Sequence, residues 1–168
     1  MSKLAERLFL VDPYNNKHME LIQSFEKKHN LSGDYSKALG ILRNSLTKEE
    51  YLQQQKKSNE IEEDLFIEKD SEIEDYCHIH GEKDMKRCRI LPASLKELER
   101  KRRIISLATD YALNRLGLEE VFIEITPENK GLMTYLENKG YENLGEEKDK
   151  IIYLKEKEDE IRNQRMIA

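Results

Sequence analysis

The segment from residue 104 to residue 145 constrains the fold most, because it reads as helix, strand, helix and strand with a suitable residue at each junction. A β-branched strand is predicted at residues 121–125, where Phe122 faces away from its neighbours, so both faces of the strand should be covered. Thr126-Pro127 ends that strand, and Gly140 ends the following helix before Tyr141. The order predicts a β-α-β-type unit in an α/β protein. The first helix, which should stop at Gly117, carries apolar residues at three- and four-residue steps: Ile104, Ile105, Ala108, Tyr111, Ala112 and Leu116.

The rest of the chain predicts further strands and helices around this unit. A strand at residues 8–11 precedes a helix capped by Asn15 or Asn16, which buries Leu21, Ile22 and Phe25. Residues 30–34 are rich in turn formers, and Thr47 with Glu50 has the spacing of a capping box, which predicts a polar helix over residues 48–57. Strands are predicted at residues 65–67, 76–80, 86–91 and 151–154, with turns at Asp70-Ser71 and at residues 81–84. We expect a single domain over residues 1–155 and a charged tail over residues 156–168.

The turn at residues 81–84 also gives a register. If it is centred between Glu82 and Lys83, Cys77 lies opposite Cys88, and His78 lies opposite Arg87.

Composition limits the classes of partner. The 168 residues include 29 Lys and Arg against 34 Asp and Glu, a net charge of −5, so the whole molecule repels nucleic acid. No apolar run approaches the roughly 20 residues of a membrane span, and residues 1–10 lack the pattern of a signal peptide. We therefore expect a cytoplasmic protein with no nucleic-acid or membrane partner and with reduced cysteines.

The C-terminal half resembles a known family. Residues 112–117 and 121–125, Asn129, Tyr135-Leu136 and Gly140-Tyr141 are similar to the C-terminal half of a GNAT N-acetyltransferase domain. The resemblance implies a mixed, mainly antiparallel sheet with helices on both faces, acetyl-CoA as co-substrate and no metal. It also implies an amine acceptor covered by the region between the first two strands. A homodimer is plausible for such a domain.

The resemblance implies a cofactor site as well. In the family, the pyrophosphate is bound by backbone amides at glycines that begin the third main helix. Here four cations, Arg100, Lys101, Arg102 and Arg103, stand in place of those glycines and could hold phosphates by charge. A solvated basic helix face is an equally good interpretation, and a nucleic-acid patch is a weaker one. Further contacts are expected from the main chain at Ile90 and Leu91 and from Asn129, for which capping of the following helix is an equal alternative.

Catalytic candidates follow from the same resemblance and from strand alternation. The family's general acid is a Tyr at the position of Leu136, and Tyr135 lies about 100° around the helix from it. His78, His80 or Glu82 could be the base that deprotonates the acceptor amine, although a strand histidine is more often a packed or solvated side chain. Alternation separates the histidines from Cys77 and Cys88, which argues against zinc and leaves the cysteines as small apolar residues or an oxidisable pair.

The sequence is therefore compatible with two functions. The first is an N-acetyltransferase that moves an acetyl group from acetyl-CoA to a small-molecule or peptide amine by direct attack. The second is a non-catalytic protein of the same fold that binds a ligand or partner. The two differ at the sheet centre, because acyl-CoA binding needs the strands before and after the third main helix to separate.

Overall fold

A computed structural model describes residues 6–92 and 98–158. Most of the predicted strands and helices are present, generally longer than the sequence suggests. The elements in chain order are β1 (Glu6–Leu10), α1 (Asn16–Lys28), α2 (Asp34–Ser45), α3 (Lys48–Lys57), β2 (Glu60–Lys69), β3 (Glu72–Glu82), β4 (Arg87–Pro92), α4 (Leu98–Asp110), a π-helical turn (Tyr111–Arg115), β5 (Glu120–Ile125), α5 (Lys130–Asn138), β6 (Glu142–Glu147) and β7 (Lys150–Glu156).

The seven strands form one mixed sheet. Their order is β1-β2-β3-β4-β5-β7-β6, and every neighbouring pair is antiparallel except β4 and β5. The parallel pair is joined by the crossover through α4, as parallel strands require. The predicted α/β class, with a mixed and largely antiparallel sheet, is confirmed. The predicted tail falls mostly on residues 159–168, which lie outside the described residues.

Helices cover both faces of the sheet, as predicted. One face packs against α4 and α5 in the larger apolar cluster, which includes the fully buried Ile79, Ile105 and Ile123. The other face packs against α1 in a smaller cluster, in which Phe25 and Phe66 are buried. Neither α2 nor α3 contributes a buried residue. No helix among the described residues is long and apolar enough to cross a membrane.

Local capping explains where two of the helices begin. The Asn15 side chain accepts a hydrogen bond from the His18 amide at 3.1 Å, which fixes the start of α1. Thr47 and Glu50 form the predicted capping box at α3, with bonds of 3.1 and 2.9 Å. The helix α2 was not predicted from the sequence. It follows Gly33, whose φ of 83° is a value that glycine adopts without strain.

A β-bulge interrupts the β2–β3 hairpin. Next to the turn, Glu68 lies opposite Ile73, but one step further Ile67 lies opposite Asp75. Glu74 is therefore the extra residue, and the side chains of β3 beyond it exchange faces. His78 consequently lies opposite Asp64 on the face covered by α1, and Cys77 points into the larger cluster.

The predicted register of the β3–β4 hairpin is wrong. Gly81 lies opposite Cys88, Cys77 lies opposite Pro92, and His78 lies opposite Leu91. The strand continues through Gly81 because the main-chain turn comes later, at residues 83–86. Asn59 holds that turn, since its carbonyl oxygen accepts from the Lys83 amide at 2.8 Å and its side chain bonds Asp84 at 2.9 Å.

Candidate active site

The parallel pairing of β4 and β5 stops before either strand ends. Ile90 opposite Ile123 is the last pair, although β4 runs on to Pro92 and β5 runs on to Ile125. Backbone groups beyond that point lack a ladder partner on the neighbouring strand. We call this unpaired stretch between the ends of β4 and β5 the opening, beside which Ile90 is buried and Leu91 is 40% exposed.

The predicted cations lie in the first turns of α4. Lys101 and Arg102 are half-buried and Arg103 is exposed, whereas the side chain of Arg100 lies outside the described part of the chain. The Arg102 guanidinium lies over the ring of Tyr135, with its carbon 5.2 Å from the ring centroid. Two predicted site residues, one from α4 and one from α5, are thus in contact.

Arg102 has donor capacity to spare. Its Nε is buried and has no hydrogen-bond partner among the described residues. A buried guanidinium nitrogen of this kind is satisfied by an anion oxygen or by water. The basic segment is therefore more than a solvated helix face, because at least one of its cations is held against the body of the protein.

Asn129 lies just after β5, at the N-cap position of α5. Its main-chain carbonyl accepts from the Met133 amide at 3.1 Å, but its side chain makes no capping bond. Two roles were predicted for Asn129, contact with the cofactor and capping of the helix. Its side chain does not perform the capping role. The half-buried side chain can still bond another group near the end of β5.

The three candidate bases lie along one face of β3, at different distances from the opening. His78 is opposite Leu91, beside the opening, whereas His80 is opposite Arg89 and Glu82 is opposite Arg87. Four residues of strand separate His78 from Glu82, about 13 Å. Glu82 is the last residue of β3 rather than part of the turn, and it accepts from Arg87 Nε at 3.1 Å.

His78 is the candidate with a strong partner. Its Nδ1 lies 2.8 Å from Oδ1 of Asp64, and Oδ2 of the same carboxylate accepts from the Tyr35 hydroxyl at 2.6 Å. This hydrogen bond to Asp64 raises the pKa of His78 against the opposing effect of partial burial. Burial and the neighbouring Asp64 likewise raise the pKa of Tyr35, so its hydroxyl keeps its proton. His80 has only a distant carboxylate, Glu62, at 3.8 Å.

Cavities lie on this face of the sheet. One of about 410 Å³ is lined by Val11, Tyr35, Tyr51, Glu62 and Asp64, among others, and α2 and α3 form its far side. A second, of about 600 Å³, lies over the other half of the sheet beside His80, Arg89 and Phe122.

No family model matches the sequence, and no curated protein matches it. Solved structures do. The N-acetyltransferase PseH from Campylobacter jejuni is similar at a TM-score of 0.59 and 16% identity, over 92% of this chain and 99% of that chain. It has also been solved in complex with acetyl coenzyme A, and that structure is similar at a TM-score of 0.57. FdhC, a nucleotide-linked sugar GNAT, is similar at a TM-score of 0.58 and 16% identity, over 98% of this chain and 96% of that chain. The chain has the GNAT fold.

A third solved structure of the GNAT fold differs in its acceptor and assembly. The dodecameric spermidine N-acetyltransferase of Vibrio cholerae is similar at a TM-score of 0.60 and 15% identity, over 91% of this chain and 94% of that chain. At such identities the likeness concerns the fold.

Sequence reasoning missed two residues of this site, Asp64 and Tyr35. Neither belongs to a motif of the GNAT fold that the sequence displays. Asp64 could be found only by pairing β2 with β3, and the bulge at Glu74 changes that pairing by one residue. Tyr35 lies in α2, a helix that was not predicted from the sequence.

The cysteines lie on the other face of the GNAT fold's sheet and take no part in this site. Cys77 and Cys88 belong to the larger apolar cluster, and four steps of register separate them along the hairpin. Burial raises the pKa of Cys88 to about 12, so it is an unreactive thiol. The register contradicts the oxidisable pair and supports the apolar role. Among the described residues, no group of three or more His, Cys, Asp or Glu is placed to hold a metal ion.

Proposed function

We propose that the protein is an N-acetyltransferase that transfers an acetyl group from acetyl-CoA to an amine. The observation that carries the proposal is the opening in the sheet, where the β4–β5 pairing ends at Ile90 and Ile123 while both strands continue. The unpaired strand edges can bond the two amides of a pantetheine arm as a neighbouring strand would. The thioester would then lie at the centre of the sheet, beside Leu91.

The phosphates would lie at the start of α4. Lys101, Arg102 and Arg103 supply charge there, and the unsatisfied Nε of Arg102 supplies a directed donor. Because residues 96–103 contain no glycine, phosphate binding in this chain rests on cationic side chains more than on exposed amides. Asn129, whose side chain caps nothing, is placed to bond the arm near the end of β5.

The reaction itself needs little covalent help from the protein. The acceptor ammonium gives one proton to a base, and its nitrogen lone pair forms a bond to the thioester carbonyl carbon. The carbon–sulfur bond then breaks, the nitrogen gives its second proton to water, and the thiolate takes a proton from Tyr135 or water. The main-chain N–H of Leu91 would bond the developing oxyanion, since Pro92, the last residue of β4, has no N–H.

The first test is binding. Acetyl-CoA at 100 times its dissociation constant should stabilise the fold by about 2.7 kcal/mol, seen as a higher midpoint of thermal unfolding. The double variant Lys101→Gln, Arg103→Gln should bind more weakly, and the loss should shrink as salt is added. Lys27→Gln, an exposed cation on α1, is the control and should bind as the wild type does. No shift with millimolar acetyl-CoA would refute the proposal.

The second test is turnover. Thiol release from acetyl-CoA should be measured with a panel of amines that includes a polyamine, an amino sugar linked to a nucleotide, an amino acid amide and peptides with free N-termini. Acetyl-CoA binding without thiol release for any amine would favour the alternative, a non-catalytic protein of the GNAT fold. That alternative draws its support from the missing glycines and from Leu136 at the position of the family's tyrosine.

A further inference from the structure

Side chains from β3 and from α2 both bond the carboxylate of Asp64, which is on β2. From β3, His78 Nδ1 lies 2.8 Å from Oδ1, and from α2 the Tyr35 hydroxyl donates to Oδ2 at 2.6 Å. Both oxygens are therefore engaged, and the carboxylate cannot rotate without losing a bond. An ionised carboxylate only accepts hydrogen bonds, so Nδ1 of the neutral imidazole must carry the proton. The lone pair is left on Nε2.

The free nitrogen is accessible and close to the opening. The His78 side chain is 36% exposed, and the described residues provide no hydrogen-bond partner for Nε2. His78 lies opposite Leu91 on β4, the strand that borders the opening, and neighbouring strands are about 4.8 Å apart. An acceptor amine approaching a thioester in that opening comes within reach of Nε2, directly or through one water.

We propose that Asp64 and Tyr35 are positioning residues for His78, and that His78 is the general base which takes the proton of the acceptor ammonium. The inference rests on the proposed function. His78 Nε2 gains the proton as the amine nitrogen becomes free to attack the thioester carbon, and Asp64 stabilises the imidazolium that results. Tyr35 keeps the carboxylate aimed at Nδ1 and gains no charge itself. The imidazolium returns its proton to solvent after the product leaves.

The other candidates on β3 lack this arrangement. His80 lies 3.8 Å from Glu62, beyond hydrogen-bond distance, and Glu82 is engaged by Arg87 at the far end of the strand. Charges around His78 are mainly negative. Asp64 and Glu62 face it from β2, Tyr35 lies behind Asp64, and Tyr76 and His80 flank it on β3. On β4, Arg89 is diverted into an ion pair with Glu124 at 3.0 Å.

A measurement without acceptor tests the geometry. In the wild-type protein, imidazole nitrogen shifts followed by NMR above the pKa of His78 should show the tautomer protonated at Nδ1. In Asp64→Asn the pKa of His78 should fall, because the stabilising charge is gone. Glu60→Gln is the matched control, since it removes an exposed carboxylate from the same strand, four positions from Asp64, and should leave both the pKa and the tautomer of His78 unchanged. A wild-type imidazole protonated at Nε2 would overturn the arrangement.

Kinetics test the role. With the best amine of the panel, kcat/KM should rise with pH through the pKa of His78, and Asp64→Asn should shift that limb to lower pH and lower the plateau at least tenfold. His78→Gln should remove the limb and cost about 10²- to 10⁴-fold. Tyr35→Phe should lower kcat with the limb retained, and the control Glu60→Gln should change neither kcat nor the limb. The pKa of the amine is the same for every variant, so a moving limb belongs to the protein.

The outcomes separate this inference from the proposed function. If the wild type acetylates an amine and Asp64→Asn keeps the same limb and plateau, the relay is wrong and the enzyme assignment stands. If His80→Gln removes the limb and His78→Gln retains it, His80 is the base. If the wild type acetylates no amine, both proposals fail.

Discussion

The bond between His78 and Asp64 makes folding stability depend on pH. Because Asp64 raises the pKa of His78 in the folded protein, the folded state holds that proton more tightly than the unfolded chain does. The stabilisation is complete below the unfolded pKa of about 6.5, and it is lost as pH rises through the higher folded value.

Asp64→Asn should therefore destabilise the protein more at about pH 5.5 than at about pH 8.5. Urea unfolding of both proteins at the two pH values measures the difference. The loss of the Tyr35 bond is the same at both values and cancels in the comparison. An equal loss of stability at both would mean that the imidazolium gains nothing from Asp64 in the fold.

Gly81 is required by a close approach of two strands. A Cβ there would collide with the Arg87 carbonyl oxygen and would lie 2.7 Å from Cys88 Cα, which are main-chain atoms that cannot turn aside. Gly81→Ala should destabilise the protein by about 1–3 kcal/mol through overpacking.

The control for this change is Gly40→Ala in α2. Nothing lies within 4 Å of an added Cβ at Gly40, so the substitution should stabilise the helix by about 0.5–1 kcal/mol. Urea unfolding should move the two variants in opposite directions. A neutral Gly81→Ala would show that β3 and β4 are further apart than described.

Residue-level prediction from sequence succeeded where the cause is local. The caps at Asn15 and Thr47 depend on residues within three positions, and both are present. The partner of His78 depends on Asp64, fourteen positions away, through a hairpin whose register no local rule determines.

Among the elements, the β2–β3 hairpin shows why register is hard to read. Its turn at Asp70-Ser71, where both residues have positive φ, was predicted. A straight ladder from that turn would place Asp64 opposite Cys77. The bulge at Glu74 places Asp64 opposite His78 instead. The residues of β3 contain no pattern that predicts an extra residue at this position. The error in the β3–β4 register has a similar cause, because Asn59, outside the hairpin, sets the turn.

The helix α4 connects β4 to β5 and packs against the strands on both sides of that connection. Ile105 is fully buried between this helix and the strands, and the adjacent Ser106 is exposed. Ile105→Ala should cost about 2–5 kcal/mol through lost burial and a cavity, whereas Ser106→Ala should change stability by less than about 0.5 kcal/mol. Denaturant unfolding of both variants checks the pair. Similar values would place Ile105 outside the core.

At the scale of the whole molecule, the sheet is two antiparallel parts joined by one short parallel pairing. Acetyl-CoA bound in the opening would bridge them, so hydrogen exchange in peptides covering residues 88–92 and 121–126 should slow when it is added. Peptides covering β1 and residues 65–69 of β2, which pair with β1, are the internal control and should exchange at the same rate with and without acetyl-CoA. Equal slowing everywhere would indicate general stabilisation, and slowing elsewhere only would place the ligand at another site.

The architecture was predictable because it follows from the order of elements, and the order was readable from residue 104 onward. The oligomeric state was not, because an interface depends on a second copy. The homodimer stays a prediction, which light scattering can test by measuring the molar mass in solution. The exposed edge strand β6 carries Glu142, Glu146 and Glu147, and these charges disfavour edge-to-edge pairing of two copies through that strand.

The helices α2 and α3 contribute no buried residue, and Tyr35 and Leu39 of α2 pack only at the margin of the smaller apolar cluster, yet the two helices form one side of the cavity beside Asp64. Because few apolar contacts hold α2 and α3 to the rest of the protein, these helices should open locally at a lower free energy than the sheet does. The same independence leaves their sequences free to diverge, because a new lining for the cavity would cost the fold little. The lining of this cavity can therefore change in this protein's lineage while the sheet stays as it is.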